Sequence, residues 1–405
     1  MRRIRVTPNR RGAAPAAAIA ALLTATLTAC SAGAAGPAKS GADDGEGGAG
    51  ERPQTVTVTP RGSRAEPGEP VTVTAENGAL TSVTVTDAEG RELTGRLSKN
   101  GRTWTSHRNA APGTTYRVNA ATRTRGGTPA SAERTFTTTA AETVNKVDWR
   151  PGNHARVGVA QPISLVFDHP VENKAEVEKQ LKVTTSNSTK GSWGWLRDWS
   201  GKDRVDWRPK KYWKPGTEVT LHARLKGTDS GRRGGWFVRD YKVDFTIGAR
   251  RVAQVDLDKK QLTLERDGTV LRRVPVSGGT PGGDKRSWRG TAVLLAKEGT
   301  IRMNSESVGL GDAYDKLVDY SMRLTWSGMY AHAAPWNAAY FGRANKSSGC
   351  IGMSDADARW VYSHVRVGDP FEIRGKDTKG TMAPNNGLGQ WNLTWDQWRA
   401  RSALR

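Results

Sequence analysis

Cys350 is a candidate nucleophile, because it is one of only two cysteines in the 405-residue chain and lies in the stretch SSGCIGMS. A cysteine attacks as its thiolate, so a base or a cationic side chain has to lie close to the sulfur. Three roles compete for Cys350: an inert buried side chain, a disulfide with Cys30, and a nucleophile. The disulfide ranks last, since it would close a loop of more than 300 residues and would remove Cys30 from any role as an anchor.

Two histidines are candidates for the base that would deprotonate this thiol. His364 lies fourteen residues after Cys350, but most of that interval is a predicted helix, which covers about 15 Å at 1.5 Å per residue. His332 ends a predicted strand, Pro335 breaks that strand, and the chain then returns to Cys350. We therefore expect His332 to be the base and His364 to be an ordinary residue of a helix surface.

The residues around Cys350 suit acyl transfer, and the motifs of several other chemistries are absent. Gly349 removes a side chain beside the sulfur, so a substrate backbone can come close. Backbone N–H groups that lead toward the predicted helix are candidate oxyanion donors. The chain has no Ser-x-x-Lys, HExxH or CxxC motif, and no pair of carboxylates of the glycosidase type stands out. No metal or other cofactor is therefore expected.

The stretches SGMYAHAAPWN and SSGCIGMSDADARWVY are similar to the active-site region of the L,D-transpeptidases, a family with a YkuD-type catalytic domain. The signature of that family is a His, a variable span, and then Ser-His-Gly-Cys followed by an apolar residue and commonly Asn or Arg. The residues that match it are His332, Ser347, Gly349, Cys350 and Ile351. Ser348 replaces the second signature His, and Gly352 replaces the usual Asn or Arg.

The resemblance implies peptidoglycan L,D-transpeptidation and a role for each matching residue. Cys350 would attack a carbonyl of a stem tetrapeptide, expel the terminal D-Ala and form a thioester, while His332 takes the thiol proton. An amine from a neighbouring stem would then complete a 3→3 cross-link, whereas water would make the enzyme an L,D-carboxypeptidase. The residues implied to orient the base or to contact the substrate or its oxyanion are Ala333, Ser347, Ser348, Gly349, Gly352 and Tyr314.

A function of a different class stays open, because Ser348 and Gly352 both depart from the signature and both flank the sulfur. The chain would then be a lipid-anchored protein that binds the cell wall through a degenerate catalytic domain. A chemically competent thiol would distinguish the enzyme from this binding protein.

The first thirty residues predict export. Five arginines precede AAAIAALLTATLTA, residues 16–29, a segment shorter than the about 20 apolar residues of a membrane span and typical of a signal peptide at 1–29. LTAC, which ends at Cys30, resembles a bacterial lipobox and implies a lipid on the Cys30 sulfur; an ordinary signal peptide with a chance cysteine is the alternative. Residues 30–52 predict a flexible Gly- and Ala-rich tether. The predicted location is the outer face of the cell membrane, within the cell wall.

The chain is strongly basic, with a formal net charge of +22 at pH 7. Without the five arginines of the leader, 57 Lys and Arg face 40 Asp and Glu, which leaves +17. Such a charge would suggest nucleic acid in a cytosolic protein. An exported chain meets the carboxylates and phosphates of the cell wall instead, so no nucleic-acid partner is expected. Charge alone does not distinguish wall binding from a solvated surface.

Apolar residues alternate with polar ones from residue 55 onward, between turns rich in Gly, Asn and Asp, and this pattern predicts all-β domains. Trp104 and Trp207 each precede a Pro-Gly-Thr tripeptide by eight residues, so the two copies lie 103 residues apart. That spacing fits one immunoglobulin-like sandwich. We predict two such sandwiches, at 53–141 and 142–249, that act as spacers or reach the wall. The tryptophans of the second sandwich are expected in its core, with sugar stacking as the alternative.

The third predicted domain, residues 250–374, is the β-rich catalytic domain of a mainly β protein. It is predicted to contain turns at 258–260 and 267–268, a strand over 322–332, and one helix that begins at Asp355 after the N-cap Ser354. A fragment that starts near residue 250 is expected to retain the thiol chemistry.

The tail, residues 375–405, ends the predicted architecture. Trp391, Trp395 and Trp398 follow the spacing i, i+4, i+7 of one helical face. We expect the preceding catalytic domain to cover this face, and a platform for sugars is the alternative.

Overall fold

Two β-sandwiches form the N-terminal part of the described chain. The computed structural model describes residues 55–404, apart from 61–63, 125, 307–308, 310 and 312–314. The first sandwich consists of β1 (Thr55–Thr59), β2 (Arg64–Ala65), β3 (Pro70–Glu76), β4 (Gly78–Asp87), β5 (Gly95–Leu97), β6 (Thr103–Asn109), β7 (Thr115–Thr124) and β8 (Pro129–Thr138). The second consists of β9 (Val147–Arg150), β10 (Ala155–Val157), β11 (Ile163–Phe167), β12 (Leu181–Thr185), β13 (Gly191–Arg197), β14 (Asp203–Pro209), β15 (Glu218–Ala223) and β16 (Tyr241–Ile247).

The two sandwiches have the same topology, so the repeat in the sequence is a repeat in the structure. The first pairs its strands in the orders β1-β3-β6-β5 and β2-β8-β7-β4, and the second in the orders β9-β11-β14-β13 and β10-β16-β15-β12. The repeated tryptophans occupy equivalent strands, Trp104 on β6 and Trp207 on β14, and both are buried in the cores. Four of the six tryptophans expected in the core of the second sandwich are there: Trp193, Trp195, Trp207 and Trp213. The expectation is wrong for Trp199, which is 52% exposed, and for Trp236, which lies outside this core and is half-buried.

The third set of strands forms two sheets over a separate core. The strands are β17 (Arg251–Asp256), β18 (Gln261–Arg266), β19 (Thr269–Pro275), β20 (Gly290–Val293), β21 (Ala296–Asn304), β22 (Asp315–Arg323), β23 (Tyr330–Ala333), β24 (Ile351–Met353) and β25 (Pro370–Arg374). The five-stranded sheet has the order β19-β18-β17-β25-β20 and the four-stranded sheet the order β21-β22-β23-β24. The turns predicted at 258–260 and 267–268 join β17, β18 and β19, and the mainly β class is confirmed.

The predicted strand over 322–332 is wrong as a single element. It is divided between the end of β22 and β23 by a turn at 324–329. The Thr325 hydroxyl accepts a hydrogen bond from the Met329 N–H at 2.8 Å, and Gly328 has a φ of 90°, which ends the extended backbone. This turn approaches the sulfur of Cys350 and is called the thiol turn below.

Helices are few and short among the described residues. They are α1 (Lys174–Lys179), α2 (Asp355–His364) and α3 (Trp395–Arg399), with 3₁₀ helices at Gly283–Lys285, Pro335–Tyr340 and Gly389–Asn392. The helix predicted at Asp355 is confirmed as α2, and its N-cap Ser354 accepts the N–H of Asp357 at 3.1 Å. None of the described helices has the length and apolar character that crossing a membrane requires.

The tail does not present one continuous helical face. Trp391 lies in a 3₁₀ helix and Trp398 in α3, and the extended backbone of Leu393 separates the two. The covering surface also differs from the expectation, because Trp398 is fully buried and its indole N–H donates to the Ser192 carbonyl of the second sandwich at 3.0 Å. A sugar platform that includes Trp398 is therefore excluded, since its ring is not accessible.

Candidate active site

The site is built where β23 and β24 pair in parallel. In this ladder His332 lies opposite Gly352, so Cys350, which immediately precedes β24, comes to the end of the strand that carries His332. Both side chains line one cavity of about 190 Å³. Its other lining residues are Met303, Lys316, Val318, Trp336, Asn337, Lys346, Ser347 and Ser348. The structure thus brings together the nucleophile and the base that the sequence predicts.

His332 is held in one orientation and one tautomer. Its Nδ1 lies 2.6 Å from the Ala333 carbonyl oxygen, and a carbonyl only accepts, so Nδ1 carries the proton and Nε2 has the free lone pair. Burial lowers the pKa of His332 to about 4, and the hydrogen bond to Ala333 offsets part of this effect. At neutral pH the side chain is therefore an uncharged imidazole that can accept a proton.

Cys350 is 8% exposed, and its sulfur faces the backbone of the thiol turn. The thiol donates to the Gly328 carbonyl at a distance of 3.6 Å. Burial raises the pKa of Cys350 to about 11, although a hydrogen bond from the Tyr330 backbone to the sulfur lowers it in part. With a neutral imidazole beside it, the resting sulfur is a thiol and not a preformed thiolate.

Ser347 and Gly349 shape the loop that carries the nucleophile. The Ser347 hydroxyl donates to the Cys350 carbonyl at 2.6 Å and accepts the Gly349 N–H at 3.1 Å. Gly349 has a φ of 114°, which side chains disfavour, so glycine is required by the backbone and not only by substrate access. The Gly349 N–H is bonded to Ser347 in this structure.

Gly352 is fixed by its neighbours in the sheet. It exchanges two backbone hydrogen bonds of 2.9 Å with Ser277, so its N–H is also engaged and does not serve as an oxyanion donor. A Cβ at this position would lie 2.9 Å from the Cβ of Ala334, closer than such atoms pack. Glycine, which replaces the Asn or Arg of the family signature at this position, therefore leaves the space that Ala334 occupies. Ser348, the other departure, lines the cavity.

Several lining residues were not found by sequence reasoning. Trp336 and Asn337 lie in the segment that resembles the family, but the resemblance implied no role for either residue. The Trp336 ring stacks on the His332 ring, with 6.1 Å between the two centroids. Met303, Lys316 and Val318 come from the hairpin of β21 and β22. These hairpin residues are of ordinary types and lie outside any motif, so nothing in the sequence indicated them.

The remaining predicted residues lie elsewhere or outside the described part of the chain. His364 does not line the cavity; it stacks on Trp360 at 4.0 Å, and its Nδ1 donates to the Trp360 carbonyl. Tyr314 and Cys30 are not among the described residues. Within the part of the chain that the structure describes, no cluster of three or more His, Cys, Asp or Glu side chains could hold a metal ion.

Comparisons with known proteins agree with the two kinds of domain seen in the structure. The bacterial Ig domain family matches residues 62–229. The L,D-transpeptidase catalytic domain family, YkuD, matches residues 250–373, the part of the chain that contains the cavity.

Individual proteins are similar over most of the chain. L,D-transpeptidase 2 of Mycobacterium tuberculosis is 33% identical over 357 residues, which are 86% of this chain and 84% of that protein. L,D-transpeptidase 5 of the same species is 28% identical over 86% of this chain and 77% of its own length. Among solved structures, an L,D-transpeptidase from Mycobacterium smegmatis has 32% identity and a TM-score of 0.46, and covers 57% of this chain and 100% of its own.

Proposed function

The chain belongs to the L,D-transpeptidase family, and on that premise we propose that it cross-links peptidoglycan stem peptides through a thioester on Cys350. The observation that carries the proposal is the pair of His332 and Cys350 in one cavity of the YkuD domain. In this reaction Cys350 attacks the carbonyl of the third residue of a donor tetrapeptide. The C–N bond to the terminal D-Ala breaks, and D-Ala leaves as an amine.

His332 carries the proton between these steps. Its Nε2 takes the thiol proton as the C–S bond forms and gives it to the leaving amine, because Nδ1 stays bonded to Ala333. A side-chain amine of a second stem then attacks the thioester and returns the sulfur to its thiol, which completes a 3→3 cross-link. Since the resting thiol is protonated, attack requires the transfer of its proton to His332.

The pH dependence of acylation follows from the same two groups. His332 is neutral above pH about 4, and Cys350 is a thiol below pH about 11. We expect the rate of acylation to fall as the pH decreases through about 4, where His332 becomes protonated, and to form a plateau between the two values. A rate that rises tenfold per pH unit through neutrality would instead require reaction through a free thiolate.

Intact-mass measurement with a stem tetrapeptide tests the proposal. The full chain should gain the mass of the donor minus D-Ala, and the adduct should map to the Cys350 peptide and be absent from Cys350→Ala. His332→Ala should slow adduct formation far more than the matched variant His364→Ala. Adducts with no cross-linked dimers would indicate the L,D-carboxypeptidase. Folded protein that forms neither adduct nor cross-link would favour the wall-binding protein.

We also propose that Cys30 is the lipidated mature N-terminus and places the enzyme at the outer face of the membrane. The support is the sequence LTAC at the end of a short apolar segment, followed by the Gly- and Ala-rich residues 31–51. The wild-type chain should then fractionate with membranes and Cys30→Ala should not. Identical fractionation of the two would contradict the lipid anchor.

A further inference from the structure

The cavity around Cys350 carries two lysines and no acidic residue. Lys316 lies on β22 in the same face as Val318, opposite Met303 in the hairpin, and Lys346 immediately precedes Ser347 in the loop of the nucleophile. Both line the cavity. None of the other lining residues that the structure describes is Asp or Glu. The described wall of the cavity therefore carries positive charge.

Neither lysine forms an ion pair within the part of the chain that the structure describes, where no Asp or Glu oxygen lies within 4 Å of either ammonium group. Asp315, which precedes Lys316 in the chain, pairs with Arg302 at 2.6 Å instead. The Lys316 ammonium instead lies 4.4 Å from the centre of the Trp336 ring, the same ring that stacks on His332.

The terminal carboxylate is the anion of a stem-peptide donor that lies beyond its scissile carbonyl. The leaving D-Ala of a tetrapeptide carries its carboxylate one residue beyond the scissile carbonyl, about 3.5 Å along the chain. In a pentapeptide the terminal carboxylate lies about 3.5 Å further. A cation on the wall of the Cys350 cavity can therefore distinguish a tetrapeptide from a pentapeptide, because the terminal carboxylate lies at a different distance from the scissile carbonyl in each donor.

We propose that Lys316 and Lys346 form a subsite that binds the terminal carboxylate of the donor's leaving amino acid and selects tetrapeptides over longer or amidated stems. The identity of the carboxylate rests on the proposed function, whereas the anion subsite itself does not. Each ammonium also offers three donors that rotate with a flexible stem, so the subsite can follow the carboxylate as the leaving group departs.

Alkylation of Cys350 in the full-length protein measures the subsite without any stem peptide. Iodoacetate and iodoacetamide displace iodide by the same reaction and differ in the carboxylate. A change in thiol pKa alters both rates equally, so the ratio of the two rates reports only the charge near the sulfur. We expect Lys316→Met and Lys346→Met each to lower the iodoacetate-to-iodoacetamide ratio by about three- to tenfold, as one unit charge roughly 6 Å away should.

The matched control is Lys379→Met, because Lys379 also lies over a tryptophan, Trp288 at 5.9 Å, but does not line the cavity. Its ratio should equal that of the wild type. The effect of the cavity variants should shrink as the salt concentration rises, since exposed charges are screened. Equal ratios in the wild type and in the double variant Lys316→Met/Lys346→Met would overturn the anion subsite.

Turnover of two tetrapeptides then tests which anion is bound. The wild type should prefer the free acid to the C-terminal amide in kcat/KM, and the double variant should lose this preference. Turnover without any preference would overturn the assignment to the leaving group. If alkylation shows the subsite but neither peptide reacts, the proposed function fails and the anion subsite stands.

Discussion

The second sandwich contacts the first through charged side chains, and it contacts the catalytic domain through buried tryptophans and backbone hydrogen bonds. At the first junction Arg108 donates to Asp240 at 2.9 Å, and Lys226 donates to Asp87 at 2.9 Å. Asp240 is 44% exposed, and solvent-exposed ion pairs stabilise a protein only weakly. The second pair is buried, since the Asp87 side chain is 4% exposed, and the Trp236 ring also packs against Gly68, so this junction combines an exposed ion pair, a buried one and one aromatic contact.

At the second junction the tail is inserted between the two domains. Arg208 of the second sandwich lies within 5.5 Å of the ring centres of Trp391, Trp395 and Trp398. The Trp391 indole N–H donates to the Ala160 carbonyl at 2.8 Å, and an apolar cluster shared by both domains lies beneath these contacts: Ala160, Val293, Leu295 and Leu388. The second sandwich, the catalytic domain and the tail thus share a small apolar cluster that is separate from the main core of the catalytic domain.

The second junction also reaches the nucleophile. The Arg204 guanidinium donates to the Gly387 carbonyl at 2.9 Å, and the neighbouring Asn386 exchanges hydrogen bonds of 2.9 and 2.8 Å with Ser327 in the thiol turn. Gly328, the next residue, accepts the Cys350 thiol. Hydrogen bonds therefore link the second sandwich to the sulfur, whereas no such chain from the first sandwich is seen among the described residues.

Two truncations should separate the junctions most clearly. Residues 142–405 should fold and acylate Cys350 at the rate of the full chain, because none of the contacts with the first sandwich that the structure describes involves the thiol turn. Residues 250–405 should be unstable and unreactive, because their tryptophans lose Arg208 and the apolar cluster is opened. This outcome would correct the expectation that a fragment starting near residue 250 retains the chemistry. Soluble yield, thermal unfolding and acylation rate measure the difference between the two fragments. Equal reactivity of both fragments would show that the two junctions do not differ in their effect on the active site.

The side chain of Trp398 should contribute much of the stability that the second junction gives to the folded protein. It is fully buried and bonded to Ser192, so Trp398→Ala should lower the free energy of unfolding by about 3–5 kcal/mol. The control is Trp199→Ala, since Trp199 belongs to the same sandwich but is 52% exposed; its effect should stay within about 0.5 kcal/mol. Denaturant titration measures both, and similar losses would mean that burial at this junction does not decide stability.

Asn386 should link the second junction to catalysis. Asn386→Ala removes the two hydrogen bonds between the buried Asn386 and the half-buried Ser327, whose hydroxyl keeps Thr325 as a partner, so we expect a loss of about 2 kcal/mol in unfolding free energy. The acylation rate should fall by about tenfold or more because the thiol turn loses its anchor. Asn153→Ala is the control, since Asn153 makes a similar bond to the Asp244 backbone at an exposed position. A lower stability with an unchanged acylation rate would show that the tail does not position the thiol.

The sequence predicted the local parts of this arrangement and missed the parts that join distant segments. Cys350, His332 and the start of α2 follow from a signature and a capping pattern, which operate within a few residues. Trp398 and Arg208 are separated by 190 positions, and helical periodicity says only that a tryptophan face is buried, not which domain buries it. The same holds for Lys316, whose place in the cavity depends on how the hairpin packs over the loop of the nucleophile.

Asp87 gives the smallest expected effect and tests the first junction. Burial alone would raise the pKa of its carboxyl, but hydrogen bonds from Lys226 and Arg91 lower it to about 2, against an ordinary value of 3.8. A carboxylate with a lowered pKa stabilises the folded state above pH 3.8, and this stabilisation is lost as the pH falls toward 2. Asp87→Asn should therefore cost about 1–2 kcal/mol at pH 7, and the difference from the wild type should shrink below pH 4. The acylation rate should not change, because no contact of the first junction among the described residues involves the thiol turn. A slower reaction in Asp87→Asn would show that the first junction, like the second, affects the reactivity of Cys350.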